Sequence, residues 1–242
     1  MPELRIGTAG WSIPVATADA FPAEGSSLER YSAHFRCAEI NSTFHRSHRP
    51  STFERWAEST PADFRFSAKL PKTITHVQKL VDCEALLDRY LEEVAGLGER
   101  LAVHLVQLPP SLQFDEALAD RFIGALKSRT ELSVACEPRH ASWFDLTASA
   151  LLAKLDVARV AADPARVEAA AEPGGWGGLV YLRLHGSPTM YRSSYNDGRL
   201  KSYAAQIRTT LPQADVWCIF DNTASSAATG DALALSRLLA EL

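Results

Sequence analysis

The sequence predicts an α/β fold, a single-domain (β/α)8 TIM-type barrel over residues 1–242. Eight strand-like apolar runs alternate with helical patterns along the chain. Their mean repeat is about 30 residues, the size of one βα unit. The first strand-to-helix turn, Gly7-Thr8-Ala9-Gly10-Trp11, carries no GxGxxG and runs into a long loop, which disfavours a doubly wound open sheet.

Strands are expected at LRIGTAG (4–10), CAEINSTF (37–44), FRFSAKL (64–70), LAVHLVQL (101–108), LSVACEP (132–138), DVARVAAD (156–163), LVYLRLHG (179–186) and VWCIFDN (216–222). After the first and second, Ser26-Ser27-Leu28-Glu29 and Ser51-Thr52-Phe53-Glu54 have capping-box form, a hydroxyl followed three residues later by a carboxylate. Asp82 precedes a third helix with Leu86, Leu87, Tyr90, Leu91 and Val94 on one face, closed by Gly96 or Gly98. Asp115 precedes a fourth, with Leu118, Phe122, Ile123 and Leu126 on its apolar side. Thr147 is expected to cap the fifth, and residues 164–171 to form a short sixth. Leu200, Tyr203, Ala204 and Ile207 mark the seventh, and the last runs from about Asp231 to the carboxyl end. EPGGWGG (172–178) reads as a tight turn, too short to separate two domains.

Hydrophobic residues make up 46% of the chain and charged ones 22%, ordinary for a globular domain. Lys plus Arg is 25 against 29 for Asp plus Glu, so no basic excess favours bulk nucleic-acid or anionic-membrane binding. Cys37, Cys83, Cys136 and Cys218 stand alone, with no CxxC, which suits a reducing, cytoplasmic setting. The opening MPELRIGTAGW lacks a charged start followed by an apolar stretch, so no signal peptide is expected. No apolar run approaches the roughly 18 residues of a membrane span.

Side chains two apart on a strand share a face. Glu39, Asn41 and Thr43 therefore point together, as do Ser67 and Lys69, Glu137 and Arg139, and Tyr181, Arg183 and His185. The sixth strand ends in Asp163, the eighth in Asp221-Asn222, and the fourth offers Gln107. The charged groups thus gather at the carboxyl ends, where barrel active sites lie. Long loops after the first, third and seventh strands (Gly10–Gly25, Leu70–Val81, Gly186–Arg199) point to the same end. Basic groups of these mouth segments, among them Lys69, Lys72, His76, Arg139, His140, Arg183 and His185, outnumber the acidic ones, which suggests an anionic ligand. Trp11, Phe44, Trp143, Tyr191 and Tyr195 are candidate stacking surfaces for a ring, with packing between loops the simpler reading for Trp143 and Phe44.

The segments GTAGW (7–11), EINSTF (39–44), FRFSAKLPKTITH (64–76), QLPPS (107–111), EPRHASWF (137–144), RLHG (183–186) and FDNT (220–223) resemble those of the YecE-like family, domain of unknown function 72. The resemblance runs in order across the whole chain. It implies a TIM-type barrel and a pocket, and it implies no particular reaction. The family's recurring polar positions match at Glu39, Asn41, Lys69, Gln107, Glu137, Arg139, His140, Arg183, His185 and Asn222. Two departures stand out: His45 where tyrosine is common, and FDNTASSAATG in place of an Asn-Asn pair with a Gly-rich loop.

The expected function is acid–base catalysis on a small anionic compound, phosphorylated and ring-containing ones among the candidates, as an isomerase, lyase or hydrolase. Glu39 and Glu137 are the expected acid and base and Lys69 their electrostatic partner. Arg139, His140, Arg183 and His185 are expected to bind the anion, with Asn41, Gln107 and Asn222 orienting it through neutral hydrogen bonds. A Schiff-base role for Lys69 is disfavoured because Glu39 beside it should raise its pKa. No cofactor is expected. A divalent metal on Glu39, Glu137, His185 and Asp221 is one alternative, without an HxH or HExxH pattern to support it. A noncatalytic binder of a phosphate-bearing ligand or a nucleic-acid end is the other. Ser12, Ser67 and Ser142 lack a GxSxG elbow, and Cys136, Cys218 and His104 read as core residues. HRSHR (45–49) reads as a solvated loop or helix start. A solvent-free ion pair between Glu137 and Arg183 would remove the catalytic role from Glu137.

Overall fold

Six strands pair in parallel in chain order: β1 (Leu4–Ala9), β2 (Cys37–Ile40), β3 (Arg65–Lys69), β4 (Leu101–Gln107), β5 (Ser133–Glu137) and β6 (Val157–Arg159). They are followed by β7 (Ala161–Asp163), the two-residue β8 (Gly174–Gly175), β9 (Leu179–Leu184) and β10 (Asp215–Phe220). From β1 the sheet also runs the other way, through β10 and β9 to β7. The sixth stave of the barrel is therefore split. Its first half pairs with β5, its second half with β9, and the Val160 amide between them donates to the Cys136 carbonyl at 2.8 Å. The expected tight turn at 172–178 contains β8, which pairs antiparallel with β6. This computed structural model describes residues 1–240.

Seven α-helices among the described residues cover the outside: α1 (Ser27–Ser32), α2 (Pro50–Glu58), α3 (Glu84–Val94), α4 (Glu116–Lys127), α5 (Leu146–Lys154), α6 (Asp197–Thr210) and α7 (Ala227–Ala240). Ser26 closes the expected capping box with Glu29, and Asp115 caps α4 by accepting from the Leu118 amide at 2.9 Å. Other helix ends differ from expectation. Pro50 at the first turn starts α2 without a side-chain cap, ahead of the Ser51 box. Asp145, not Thr147, caps α5 through the Ala148 amide at 2.7 Å. The sixth repeat carries only a 3-10 turn, Glu168–Ala171, where a short helix was expected. α7 begins four residues before Asp231, and the expectation that it reaches the carboxyl end lies, over 241–242, outside the described residues.

Strand alternation sorts the core into two. Phe66, Ala68, Val134, Leu182, Leu184, Val216 and Phe220 pack outward against the helices. Cys37, Val103, Leu105, Ala135, Ala158, Tyr181, Trp217 and Ile219 fill the barrel interior, with Tyr181 stacked on Trp217 at 5.9 Å. Each fully buried aliphatic or aromatic side chain contributes roughly 1.5–3 kcal/mol. The middle of the interior is thus held by apolar packing, with Arg5 against the Trp217 ring at the amino end and the charged cluster at the carboxyl end. Gly7 is required where β1 meets β2, because a Cβ there would collide with the Cys37 carbonyl. No helix among the described residues is long and apolar enough to cross a membrane.

Candidate functional site

Arg183 on β9 is the hub of the carboxyl end. Its side chain has no exposure. Nε and Nη2 donate to the two oxygens of Glu39 at 2.9 and 2.6 Å, Nη1 to Glu137 Oε2 at 2.5 Å, and Nη2 also to Asp221 Oδ2 at 2.9 Å. One guanidinium against three carboxyl groups leaves negative charge to be balanced. His185 supplies part of that balance, with Nδ1 3.1 Å from Asp221 Oδ2 and Nε2 3.2 Å from Glu137 Oε1. Burial would lower its pKa, but Glu137 and Asp221 raise it above the ordinary histidine value. Arg139 completes the set, Nη2 lying 3.0 Å from Glu137 Oε1 and donating to Tyr191 Oη at 3.2 Å. Tyr181 Oη donates to Glu39 Oε2 at 3.0 Å and sits 2.6 Å from Ser67 Oγ. Burial alone would raise the Glu137 carboxyl. Arg183, His185 and Arg139 instead hold it well below the usual range, and Arg183 and His185 likewise lower Asp221.

Lys69 ends β3 in the same layer and is 5% exposed. Among the described residues no carboxylate oxygen lies within 4.0 Å of its ammonium; Nζ sits 4.2 Å from the centre of the Phe44 ring. Burial lowers its pKa to about 8, with Arg183 adding to the effect and Glu39, Glu137 and Asp221 opposing it. The expected upward shift by Glu39 is thus outweighed, because Glu39 is turned onto Arg183 and Tyr181. His76, in the loop after β3, packs edge-on against the same Phe44 ring at 4.9 Å. Its pKa is lowered by burial, Lys69 and Arg139.

Several expected roles change. Glu137 forms the solvent-free pair with Arg183 that removes it as acid or base, and Glu39 is clamped by the same guanidinium. Arg183 and His185 face carboxylates inside the barrel, so neither is open to an incoming anion. His140 caps the 3-10 turn Ala141–Phe144, its Nδ1 accepting from the Ser142 amide at 3.2 Å. Tyr195 is buried, with Oη accepting from the Gly186 amide at 2.8 Å and donating to the Asp163 carbonyl at 3.2 Å, so it offers no stacking face. Tyr191 keeps a half-buried place at the mouth, its ring 5.4 Å from that of His185. Gln107 is 4% exposed, with Nε2 3.5 Å from Glu137 Oε1. Asn222 donates to the Ser193 carbonyl at 2.9 Å and to Asp231 Oδ2 at 2.6 Å, tying the loop after β9 to α7. For the metal alternative, no group of three or more His, Cys, Asp or Glu among the described residues is arranged to hold an ion. The guanidinium of Arg183 stands where the three carboxyl groups converge.

Trp11 and Asn41 fall beside this cluster, lining a cavity of about 520 Å³ at the carboxyl ends of β1 and β2 together with Arg46, Trp56 and Thr223. The rings of Trp11 and Trp56 meet edge to face at 4.9 Å. Sequence reasoning missed Trp56 and the buried Asp231, and did not connect His76 with Lys69. Asp231 gathers Ser194, Tyr195 and Asn222. A charged residue on the apolar side of the last helix was its only signal. His104, expected as a core histidine, is buried with Nδ1 3.0 Å from Tyr90 Oη, and burial lowers its pKa to about 4.

Comparison with known proteins gives one family and one fold. The model of the family described as protein of unknown function DUF72 matches residues 5–242. The UPF0759 protein YecE of Escherichia coli K12 is 35% identical over 120 residues, 49% of this chain and 43% of that protein. The match thus spans less than half the length of this curated relative. A DUF72 family protein from Thermotoga maritima superposes with a TM-score of 0.81 at 22% identity, covering 98% of this chain and 99% of that one. The 3-keto-D-glucoside 4-epimerase YcjR from E. coli superposes at 0.50 with 12% identity over 98% and 99%, a likeness of fold alone.

Proposed function

The chain belongs to the DUF72 family, and we propose that it is an enzyme moving a proton on a small anionic compound at the carboxyl-end mouth of its barrel. One observation carries this reading: Lys69 is buried at that mouth without a carboxylate partner among the described residues, while Glu39, Glu137 and Asp221 are already engaged by Arg183. Burying an ammonium is costly unless it is paired. A fold that bears this cost at a barrel mouth has a use for the charge. With a pKa of about 8, both the ammonium and the amine are populated near neutrality, so Lys69 can hold an anion and exchange a proton with it. His76, held against the edge of the same Phe44 ring, adds a second titratable group to the mouth. Arg139 is the second cation a ligand can meet. Arg183, Glu39, Glu137, Asp221 and His185 act as a fixed frame that keeps Lys69 in place and sets its field. Four buried free thiols suit a reducing cytoplasm for this activity.

A thermal-shift screen of inorganic phosphate, sugar phosphates, 2-hydroxy acids and keto acids tests the proposal on the wild type and on Lys69→Met. The expected result is at least one anion that raises Tm in the wild type and not in the variant. Its turnover should fall by about 10²–10⁴ when Lys69 is replaced. Anions that stabilise both proteins equally would overturn the assignment, and binding through Lys69 without conversion would make the protein a binder instead.

A further inference from the structure

We infer that the cavity between Trp11 and Trp56 takes a hydroxylated ring, a sugar or cyclic polyol, as the uncharged part of the compound whose anionic part meets Lys69. The inference rests on the mouth being the functional site. The cavity lies over the ends of β1 and β2, and its volume of about 520 Å³ falls within the roughly 300–1,000 Å³ of small-molecule sites. β2 and β3 pair Glu39 with Ser67 and Ile40 with Ala68. The next residues along are Asn41, on the cavity wall, and Lys69, so the two follow one another across one strand pair.

The lining decides the class of ligand. Two indoles packed at 75° form a corner of apolar surface, suited to the C–H face of a sugar ring. Around it stand Ser12, Ser42, Thr223 and Asn41, with Arg46 at the rim. Ser42 Oγ is already held by His48 Nε2 at 2.9 Å, but a bare aromatic ring would leave Ser12, Thr223 and Asn41 unused, and a lone anion would leave the indoles unused. A polyol uses both. Asn41 has hydrogen-bonding capacity the fold does not consume: its side-chain oxygen is buried and has no partner among the described residues. It stands at the start of the 3-10 turn Ser42–Phe44 yet makes no capping bond. Buried amide oxygens are seldom left so, and turning the Asn41 amide toward the cavity lets a ligand hydroxyl donate to it.

The test uses methyl β-D-glucopyranoside, D-xylose and myo-inositol, read by tryptophan fluorescence and by saturation transfer to ligand protons. Trp11→Phe, Trp56→Phe and Asn41→Ala are compared with Trp143→Phe, whose ring is buried elsewhere with Nε1 donating to the Leu112 carbonyl at 3.0 Å. We expect at least one probe to bind saturably, with affinity lower by about tenfold in Asn41→Ala and unchanged in Trp143→Phe. Lys69→Met should retain the sugar response while losing the anion response. No saturable response from any of the three probes would overturn the inference, and so would a response undiminished in all three cavity variants. Benzoate or indole acting in place of the sugars would overturn it too. Any of these failures alongside an intact, Lys69-dependent anion shift would leave the proposed function standing.

Discussion

At the residue scale, Arg183 and Lys69 are opposite solutions to one problem, a cation inside a barrel. Arg183 is matched by three carboxyl groups in hydrogen-bonding geometry, and Lys69 by none among the described residues. Replacing Arg183 with Met should therefore leave Glu39, Glu137 and Asp221 facing one another. Loss of one partner from a buried ionic cluster costs about 3–5 kcal/mol, a large share of a domain's stability. A urea midpoint near that of the wild type would refute the hub role. Lys69→Met should do the reverse. Its folded pKa of about 8 lies below the roughly 10.4 of an unfolded lysine. The unfolded chain then binds more protons between those values, so wild-type stability rises with pH across that window and the penalty is full below it. Removing the group should stabilise the protein at pH 7, by up to roughly 3 kcal/mol, and flatten the rise. Denaturation curves from pH 7 to 10 check both sign and slope. Period-two alternation made it legible that Tyr181, Arg183 and His185 share a face and that Glu39 points with Asn41. It does not say which atoms pair across the barrel, because that depends on the lengths of side chains from staves that are not neighbours. Arg183 thus read as an anion clamp when it is the counter-ion of the protein's own carboxylates.

At the element scale, strands were more legible than helix ends. Each inward position repeats every two residues and each outward one packs on a helix, so a short apolar run fixes its own register. A helix start is instead a competition between local signals. Ser51-x-x-Glu54 has the form of a capping box, but Pro50 presets the backbone one residue earlier and the helix begins there. Asp115 meets no such competitor and accepts from the Leu118 amide. Asp115→Ala should therefore cost about 1 kcal/mol, while Ser51→Ala should cost a few tenths at most. Equal losses in equilibrium unfolding would show that Ser51 caps α2 after all. The 3-10 turn Ser42–Phe44, read as the end of the second strand, places Phe44 over Lys69 and sets Asn41 at the cavity wall. Its apolar Phe44 continued the strand pattern in the sequence. The chain turns there because Thr43 Oγ1 bonds the Ile40 and Lys69 carbonyls, at 3.0 and 2.6 Å.

On the scale of the whole molecule, the ring of staves has one weak link, and it lies beside the site. Five staves in a row, β1 to β5, are continuous and carry an α-helix outside each. The sixth is broken at Val160, is followed by the 3-10 turn Glu168–Ala171 in place of an α-helix, and is edged by the two-residue β8. A sequence repeat of uniform length hides this, since 164–171 has the span of a short helix but too few apolar positions to bury one. The two halves of the sixth stave are buried but held by ladders of only three residue pairs each. Short ladders and exposed turns open locally at free energies below that of global unfolding. The amides of residues 157–163 and 168–175 should therefore exchange with solvent by a lower-energy opening than those of β2, β3 and β4. Native-state hydrogen exchange at increasing urea would measure the difference, and convergence of both groups on one denaturant-dependent line would show the barrel opening only as a unit. The consequence for function follows from the register of β7 on β9. Ala162 pairs with Arg183 and Asp163 with Leu184, so an opening of the sixth stave loosens the strand that carries the hub. A ligand that draws Lys69 into an ion pair should tighten the charge cluster around Arg183. It should then slow exchange at 161–163 more than at β2 to β4, linking occupancy of the mouth to closure of the ring.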